Sequence, residues 1–322
     1  MACYNAEKFL KESILSVINQ SFKNWELIIV DDNSSDRSLE IAKFFENNDN
    51  RIFVYSSPQN LGPGSARNFA IEKSKGVWLA ILDADDVFFP EKLEKQVAII
   101  SVNPSSVLIG SGVVSIDEFG NIISSYRYPI RSSSLKSNLK RFRAFPPHSS
   151  LMYFSNSVKE LGGFNNVFSP SEDYDLWLRL LDKGDFCCVN DYLTKYRIHS
   201  SNISNKINKD GFSQIDYGYA SKVCFLLRRF NYNDPSSNYD DMQWFNFMCA
   251  ISKIVKESGE LEFRSNKKLL KRMLETKNNF SFKSFSNLIL VFITIYRIFS
   301  YSLFKSSIPR KCLDYVVLNK LV

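Results

Sequence analysis

The sequence predicts an α/β fold with a mostly parallel sheet flanked by helices, followed by a helical C-terminal region. Three observations predict it. Short apolar runs alternate with stretches of helical period through about the first 205 residues. Two of those runs end in paired acids, VDD and LDADD. Beyond about Asn205 the pattern turns helical and aromatic, without a detectable repeat.

The elements follow in order. CYNAEKFLKESILSVINQ reads as a loop running into a helix. WELIIVDD holds a short apolar run bounded by acids, which suits a buried parallel strand. In NSSDRSLEIAKFFENN, Ser34 or Ser35 is expected to cap a helix that turns Ile41, Phe44 and Phe45 inward. RIFVYSS is a second strand, QNLGPG a turn-rich loop, and SARNFAIEKSKG a helix ended by Gly76. VWLAILDADD is a third strand. Strand, helix, strand, helix, strand means βαβ units, and right-handed crossovers would put Asp31, Asp32, Asp83 and Asp85 on one sheet edge. PEKLEKQVAIISVNP is a helix, VLIGSGVVSID a strand, and NIISSYRYPI pairs nearby. FPPHSSLMYF returns to the sheet. FSPSEDYDLWLRLLDKG starts a helix with acids in its first turn, and DFCCVNDYLTKYRIHSSNIS is a last strand with an exit loop.

Composition narrows the function. With 322 residues, 44% hydrophobic, there is length for two domains, expected at 1–205 and 206–322. Twelve Lys and Arg against two acids from Arg264 to Val322 give +10, which leaves −3 for the first 263 residues out of a total of +7. Six cysteines without a CxxC pair fit neither a zinc site nor a secreted disulfide framework, and read as buried thiols. The start carries no signal-peptide pattern.

Four motifs carry candidate chemistry. In LDADD, Asp83 and Asp85 would face one way on an extended segment and offer hard oxygen donors to Mg²⁺ or Mn²⁺ bound with substrate phosphates. NLGPGSARN puts glycines before a helix start, where backbone can approach a phosphate, with Arg67 close by; it lacks the GK[ST] ending of a Walker loop. SEDYDLWLRL carries Glu172, Asp173 and Asp175. Asp173 lies near a helix N-terminus, which favours a carboxylate able to take a proton from a hydroxyl. Tyr174, Trp177 and Leu178 read as core. In YRIHSSNIS, His199 is either a structural histidine or a metal or phosphate contact.

YNAEKFLKESILSVINQSFKNWELIIVDDNSSD, NLGPGSARN, GVWLAILDADD, SEDYDLWLRL and YRIHSSNIS, in that chain order, resemble glycosyltransferase family 2 over roughly residues 2 to 205. The resemblance implies a GT-A, Rossmann-like fold and an inverting transfer from a nucleotide-diphosphate sugar, a UDP-sugar by expectation. Carried over by position, Asp32 resembles the carboxylate that reads the base, beside the loop of Tyr4. Arg67 and Glu172 resemble donor-site residues. Asp83 and Asp85 resemble the DxD pair, His199 a residue that reaches metal or diphosphate, and Asp173 the catalytic base. Mn²⁺ or Mg²⁺ is the implied cofactor. The family begins with a buried strand before the YN turn, and this chain has only Met1 to Cys3 there. The first strand is therefore expected to be lacking, which opens a second reading as a catalytically impaired homologue. A nucleotidyltransferase on a similar scaffold is the other alternative; it wants a basic glycine-rich loop that YNAEKF does not supply.

SFSNLILVFITIY and its basic flanks, within 284–312, suit a segment lying on an anionic membrane rather than crossing it. The expected acceptor is a lipid-linked or surface polysaccharide glycan, met peripherally at the cytoplasmic face of a membrane. No nucleic-acid module is present.

Overall fold

The structure is a computed structural model and describes residues 1–262, apart from 206, 230–233 and 238–239. The basic segment expected at 284–312 lies outside the described residues. The chain divides into two compact units, the first ending at Ser221 and the second beginning at Lys222.

The first unit opens with three βαβ-connected strands: β1 (Ala2–Cys3), α1 (Leu10–Ile18), β2 (Leu27–Asp31), α2 (Ser38–Asn48) and β3 (Ile52–Ser56). They form a parallel sheet in the order β1-β2-β3. The expectation that this chain lacks its first strand needs amending. Two residues of it are present, with Ala2 opposite Val30 and Cys3 opposite Asp31. The backbone N–H of Val30 donates to the Met1 carbonyl, and the Met1 amine to Ile28 O. Next to Met1, an apolar cavity of about 600 Å³ is walled by β2, α3 (Pro63–Lys73) and β4 (Trp78–Ala80), with Leu27, Ile71, Leu79 and Met152 among its lining.

All five residues of β2 are buried, as its run of Leu, Ile and Val requires. α1 buries Leu10, Ile14 and Val17, spaced to lie on one helix face. α2 differs from expectation at its start and on one face. Asp36, not Ser34 or Ser35, accepts from the Ser38 N–H, and Phe44 is 62% exposed while Phe45 is buried.

The second sheet contains β4, β5 (Val87–Phe88), β6 (Ser106–Ile116), β7 (Ile122–Tyr126), β8 (Met152–Phe154) and β9 (Asp185–Arg197). Its order is β4-β8-β6-β9-β5, with β7 on β6. Here the expected parallel pairing holds only between β6 and β9, and the other pairs are antiparallel. The reason lies in the connections. β6 and β7 form a hairpin closed by the Asp117–Asn121 turn, so they must run antiparallel. Helices α4 (Lys92–Val102), α5 (Ser132–Lys140), α6 (Ser155–Glu160) and α7 (Glu172–Leu180) complete this unit, and α8 (Gln214–Arg229) and α9 (Asp241–Glu262) follow. None of the helices among the described residues is long and apolar enough to cross a membrane.

Candidate active site

The loops after β1 and β2 are zipped together by side chains. Asn5, in the left-handed region at φ 48, accepts from Ser35 N–H, and its own N–H donates to Ser34 Oγ. Ala6 N–H donates to Ser38 Oγ, Glu7 N–H to Asp36, and Arg37 N–H to Glu7. Tyr4 is left exposed at 53%. Asp32, expected to read the base, is buried and holds a loop: its Oδ1 accepts from Leu61 N–H at 2.9 Å and its Oδ2 from Gly62 N–H at 2.7 Å. It fastens the QNLGPG loop to the end of β2. The neighbouring Asp31 holds Ser34 N–H with Oδ2 and keeps Oδ1 buried without a hydrogen-bond partner.

That loop launches α3. Gly62 sits at φ 86, a backbone conformation that L side chains resist, and Pro63 starts the helix. A Cβ on Gly64 would collide with the Asn166 side chain, so the helix start can lie close to the segment preceding α7. Arg67, one turn further, exploits that closeness. Its guanidinium donates to Glu172 Oε1 at 2.8 Å and to Asp83 Oδ1 at 2.7 Å. One cation thus joins the LDADD turn to the start of α7.

The charges around Arg67 set two carboxylates apart. Burial alone would raise Asp83, but Arg67, together with His148 and a hydrogen bond involving Ser149, brings the group down to about 2. Burial raises Asp173 to about 7, with the Glu172 carboxylate next door adding to the rise. Asp173 is nevertheless partly exposed, and its Oδ1 accepts from the Tyr174 N–H at 2.6 Å. A carboxylate that is accessible and half-protonated near neutrality suits proton transfer. The flanking aromatics pack, as the sequence predicts: Trp177 Nε1 donates to Tyr153 Oη, and Tyr174 Oη donates to Leu139 O while its ring stacks on Phe142.

Asp83 and Asp85 do not point together. β4 ends at Ala80, and residues 83–86 form a turn closed by Asp86 N–H to Asp83 O. The alternation of an extended strand therefore does not apply. Asp83 goes to Arg67, whereas Asp85 Oδ2 meets His199 Nε2 at 2.9 Å. The expected metal trio of Asp83, Asp85 and His199 is accordingly split, and no group of three acidic, His or Cys side chains forms a metal cluster among the described residues. The Asp85–His199 pair still fits a divalent cation. Its donors are a carboxylate oxygen and an imidazole nitrogen, both partly exposed, and Ser201 Oγ at 2.7 Å from Nδ1 orients the ring. Such a pair leaves coordination positions for diphosphate oxygens and water.

Sequence reasoning missed the residue that holds this corner. Arg197 is 2% exposed. Its Nε donates to Asp85 O at 2.8 Å and its terminal nitrogens donate to Asp117 O and to Glu12 of α1. Its backbone N–H donates to Asp86, and Phe9 lies under its guanidinium at 4.6 Å. The signal was the R of YRIH, two residues before the histidine. His148 was missed as well. It is buried between Tyr153, Phe164 and Trp177, its Nε2 has no hydrogen-bond partner, and burial followed by Arg67 lowers it to about 3, which makes it a neutral imidazole.

The family model for glycosyl transferase family 2 matches residues 1–162. The chain belongs to glycosyltransferase family 2. An uncharacterized glycosyltransferase of Methanocaldococcus jannaschii is 37% identical over 215 residues, 65% of this chain and 73% of that protein. An O-antigen biosynthesis glycosyltransferase of Escherichia coli is 34% identical over 211 residues, 62% of this chain and 78% of that protein. Among solved structures, S. aureus TarS in complex with UDP-GlcNAc superposes with a TM-score of 0.56 at 18% identity, covering 92% of this chain and 90% of that one. That likeness carries the GT-A fold. The protein is thus a GT-A glycosyltransferase of family 2, and the candidate site occupies the loops that follow β1, β2 and β4 and the start of α7.

Proposed function

We propose that this glycosyltransferase moves a sugar from a UDP-sugar to a hydroxyl of a lipid-linked or surface polysaccharide glycan, with inversion at the anomeric carbon. The observation that carries the reading is Arg67 bridging Asp83 and Glu172, because it ties the acidic turn after β4 to the start of α7, where Glu172 is followed by the candidate base Asp173. The donor class draws on the UDP-GlcNAc complex of the structural relative, and the acceptor class on the O-antigen relative. A lipid-linked acceptor would be met at the cytoplasmic face of a membrane.

In this reading Asp173 takes the proton of the acceptor hydroxyl as its oxygen attacks the anomeric carbon. The bond to the diphosphate oxygen breaks in the same displacement, and one base suffices. Glu172 holds Arg67, and Arg67 keeps Asp83 ionised beside the donor. Tyr4 and the zipped loops after β1 and β2 line the nucleotide end. Asp85 and His199 would hold Mn²⁺ or Mg²⁺, which when bound offsets the charge of the departing diphosphate.

Calorimetry of UDP binding with Mn²⁺, followed by a UDP-sugar turnover screen, tests this. Saturable binding that chelator abolishes and Asp85→Ala weakens is the expected result. UDP affinity that is the same with Mn²⁺ and with chelator would remove the metal from the reading. Turnover that survives in Asp173→Asn would remove the base.

A further inference from the structure

Helix α1 buries polar side chains beside its apolar ones. Ser13 and Ser16 lie in the helix and Gln20 just past its end, and all three are buried. Polar side chains inside a protein need hydrogen-bond partners. These find theirs in the segment that runs from the acidic turn into α4. Ser13 Oγ donates to Asp86 O at 2.7 Å, with Ala84 O at 2.9 Å sharing its single proton. Ser16 Oγ accepts from Phe88 N–H. Gln20 Nε2 donates to Phe89 O, and its Oε1 accepts from Leu93 N–H. The buried polar face of α1 therefore holds backbone, and its first member meets the turn that carries Asp85.

Every carbonyl of residues 83–86 has a donor. Asp83 O accepts from Asp86 N–H, Ala84 O and Asp86 O face the Ser13 hydroxyl, and Asp85 O accepts from Arg197 Nε. The carbonyls of Ala84 and Asp85 belong to the two peptide planes that flank the Asp85 Cα. Holding both planes fixes the backbone angles of Asp85, and with them the direction in which its carboxylate leaves the chain. Ser13 holds one plane from α1, and Arg197 holds the other.

The partner of Asp85 is set from the same helix. Phe9, one turn before Ser13, has its ring 5.0 Å from the His199 ring and 4.6 Å from the Arg197 guanidinium. Glu12 pairs with Arg197. Phe9 and Ser13, like Glu12 and Ser16, are four residues apart, so one face of α1 supports both sides of the Asp85–His199 contact. Gln20 marks the contrast. Its partners, Phe89 and Leu93, lie beyond the turn, and its bonds pack the helix without touching the residues around Asp85.

We propose that Ser13 is a positioning residue: from α1 its hydroxyl fixes the backbone around Asp85 and thereby sets Asp85 against His199, the pair that would hold the divalent cation. The cation clause rests on the function proposed above; the setting of Asp85 against His199 does not. The test uses the full chain and three variants. Ser13→Ala removes the hydroxyl, Ser13→Cys keeps a similar shape with a weaker donor, and Gln20→Leu breaks the far end of the same face. The chain has only two histidines, so imidazole nitrogen NMR separates His199 from His148. In metal-free protein, Ser13→Ala should shift the His199 Nε2 signal and Ser13→Cys should shift it less. Gln20→Leu should leave that signal in place even though it lowers the urea midpoint at least as far. In calorimetry, Ser13→Ala should weaken UDP binding with Mn²⁺ by roughly tenfold and leave UDP binding in chelator unchanged. A His199 signal that neither Ser13 variant moves overturns the positioning. An equal shift in Gln20→Leu also overturns it, because general loosening then suffices. A shifted signal with Mn²⁺-dependent UDP affinity intact overturns the cation clause. Wild-type UDP affinity that ignores Mn²⁺, with His199 still moved by the Ser13 variants alone, would uphold the positioning and remove the metal from the proposed function instead.

Discussion

Asp83 and Asp173 are two carboxylates near one guanidinium, and their chemistry diverges. Asp83 takes a direct 2.7 Å bond from Arg67 and is held at about 2. Asp173 lies beside Glu172, which claims the other arm of Arg67, and is raised to about 7. Burial pushes both groups upward, so burial does not tell them apart. The allocation of one cation does. It makes one carboxylate a permanent anion and the other a group able to take up a proton near neutrality.

The sharpest break of that comparison is Asp173→Asn, which removes the proton acceptor and leaves Arg67, Asp83 and Asp85 in place. Turnover should fall by about 10²–10⁴-fold, with UDP affinity in calorimetry unchanged. Arg67→Met comes next. It strands the buried Glu172 and the partly exposed Asp83 without their cation, and should cost about 3 kcal/mol in denaturant unfolding. Adding Glu172→Gln to Arg67→Met should restore part of that loss, since one stranded charge disappears.

The pH profile comes third. Asp173 must be ionised to act, so kcat/KM should fall about tenfold for each unit below about pH 7 and level off above it. Asp83, ionised down to about 2, adds no limb in the working range. Glu172→Gln takes away the neighbouring negative charge, so the limb should move to lower pH. A limb that stays in place would assign it to another group. The smallest effect is expected from Arg197→Lys. It keeps a cation but loses the forked donors to Asp85 O, Asp117 O and Glu12. Mn²⁺-dependent UDP affinity should drop severalfold, while the pH limb, which belongs to Asp173, should not move.

Much of this was legible in the chain itself. Apolar runs such as LIIV and the helical spacing of Leu10, Ile14 and Val17 depend on near neighbours, and they predicted α1, β2 and β3; the third strand they predicted, in VWLAILDADD, pairs instead in the second sheet as β4, and β1 was expected to be lacking. The ordered motifs also located Arg67, Asp83, Asp85, Asp173 and His199, which the fold brings to one region through Arg67 and the Asp85–His199 contact. Local pattern does not state which strands share a sheet or which way each runs, and so one mostly parallel sheet was expected, whereas β4 to β9 form a second sheet whose pairs are antiparallel except β6 with β9. Nor does it state whether two residues two apart share a face, because that holds for a strand and fails in the turn at 83–86. The partner of each charge is likewise a matter of three-dimensional approach. Asp32 met the amides of residues 61 and 62, Arg197 was buried against Asp85 O and Glu12, and Arg67 divided itself between Asp83 and Glu172. Sequence by itself determined which reactive groups are present and in what order. Tertiary structure decided which of them are clamped and which remain able to react, because a charge is tuned by whatever long-range folding sets within hydrogen-bond reach.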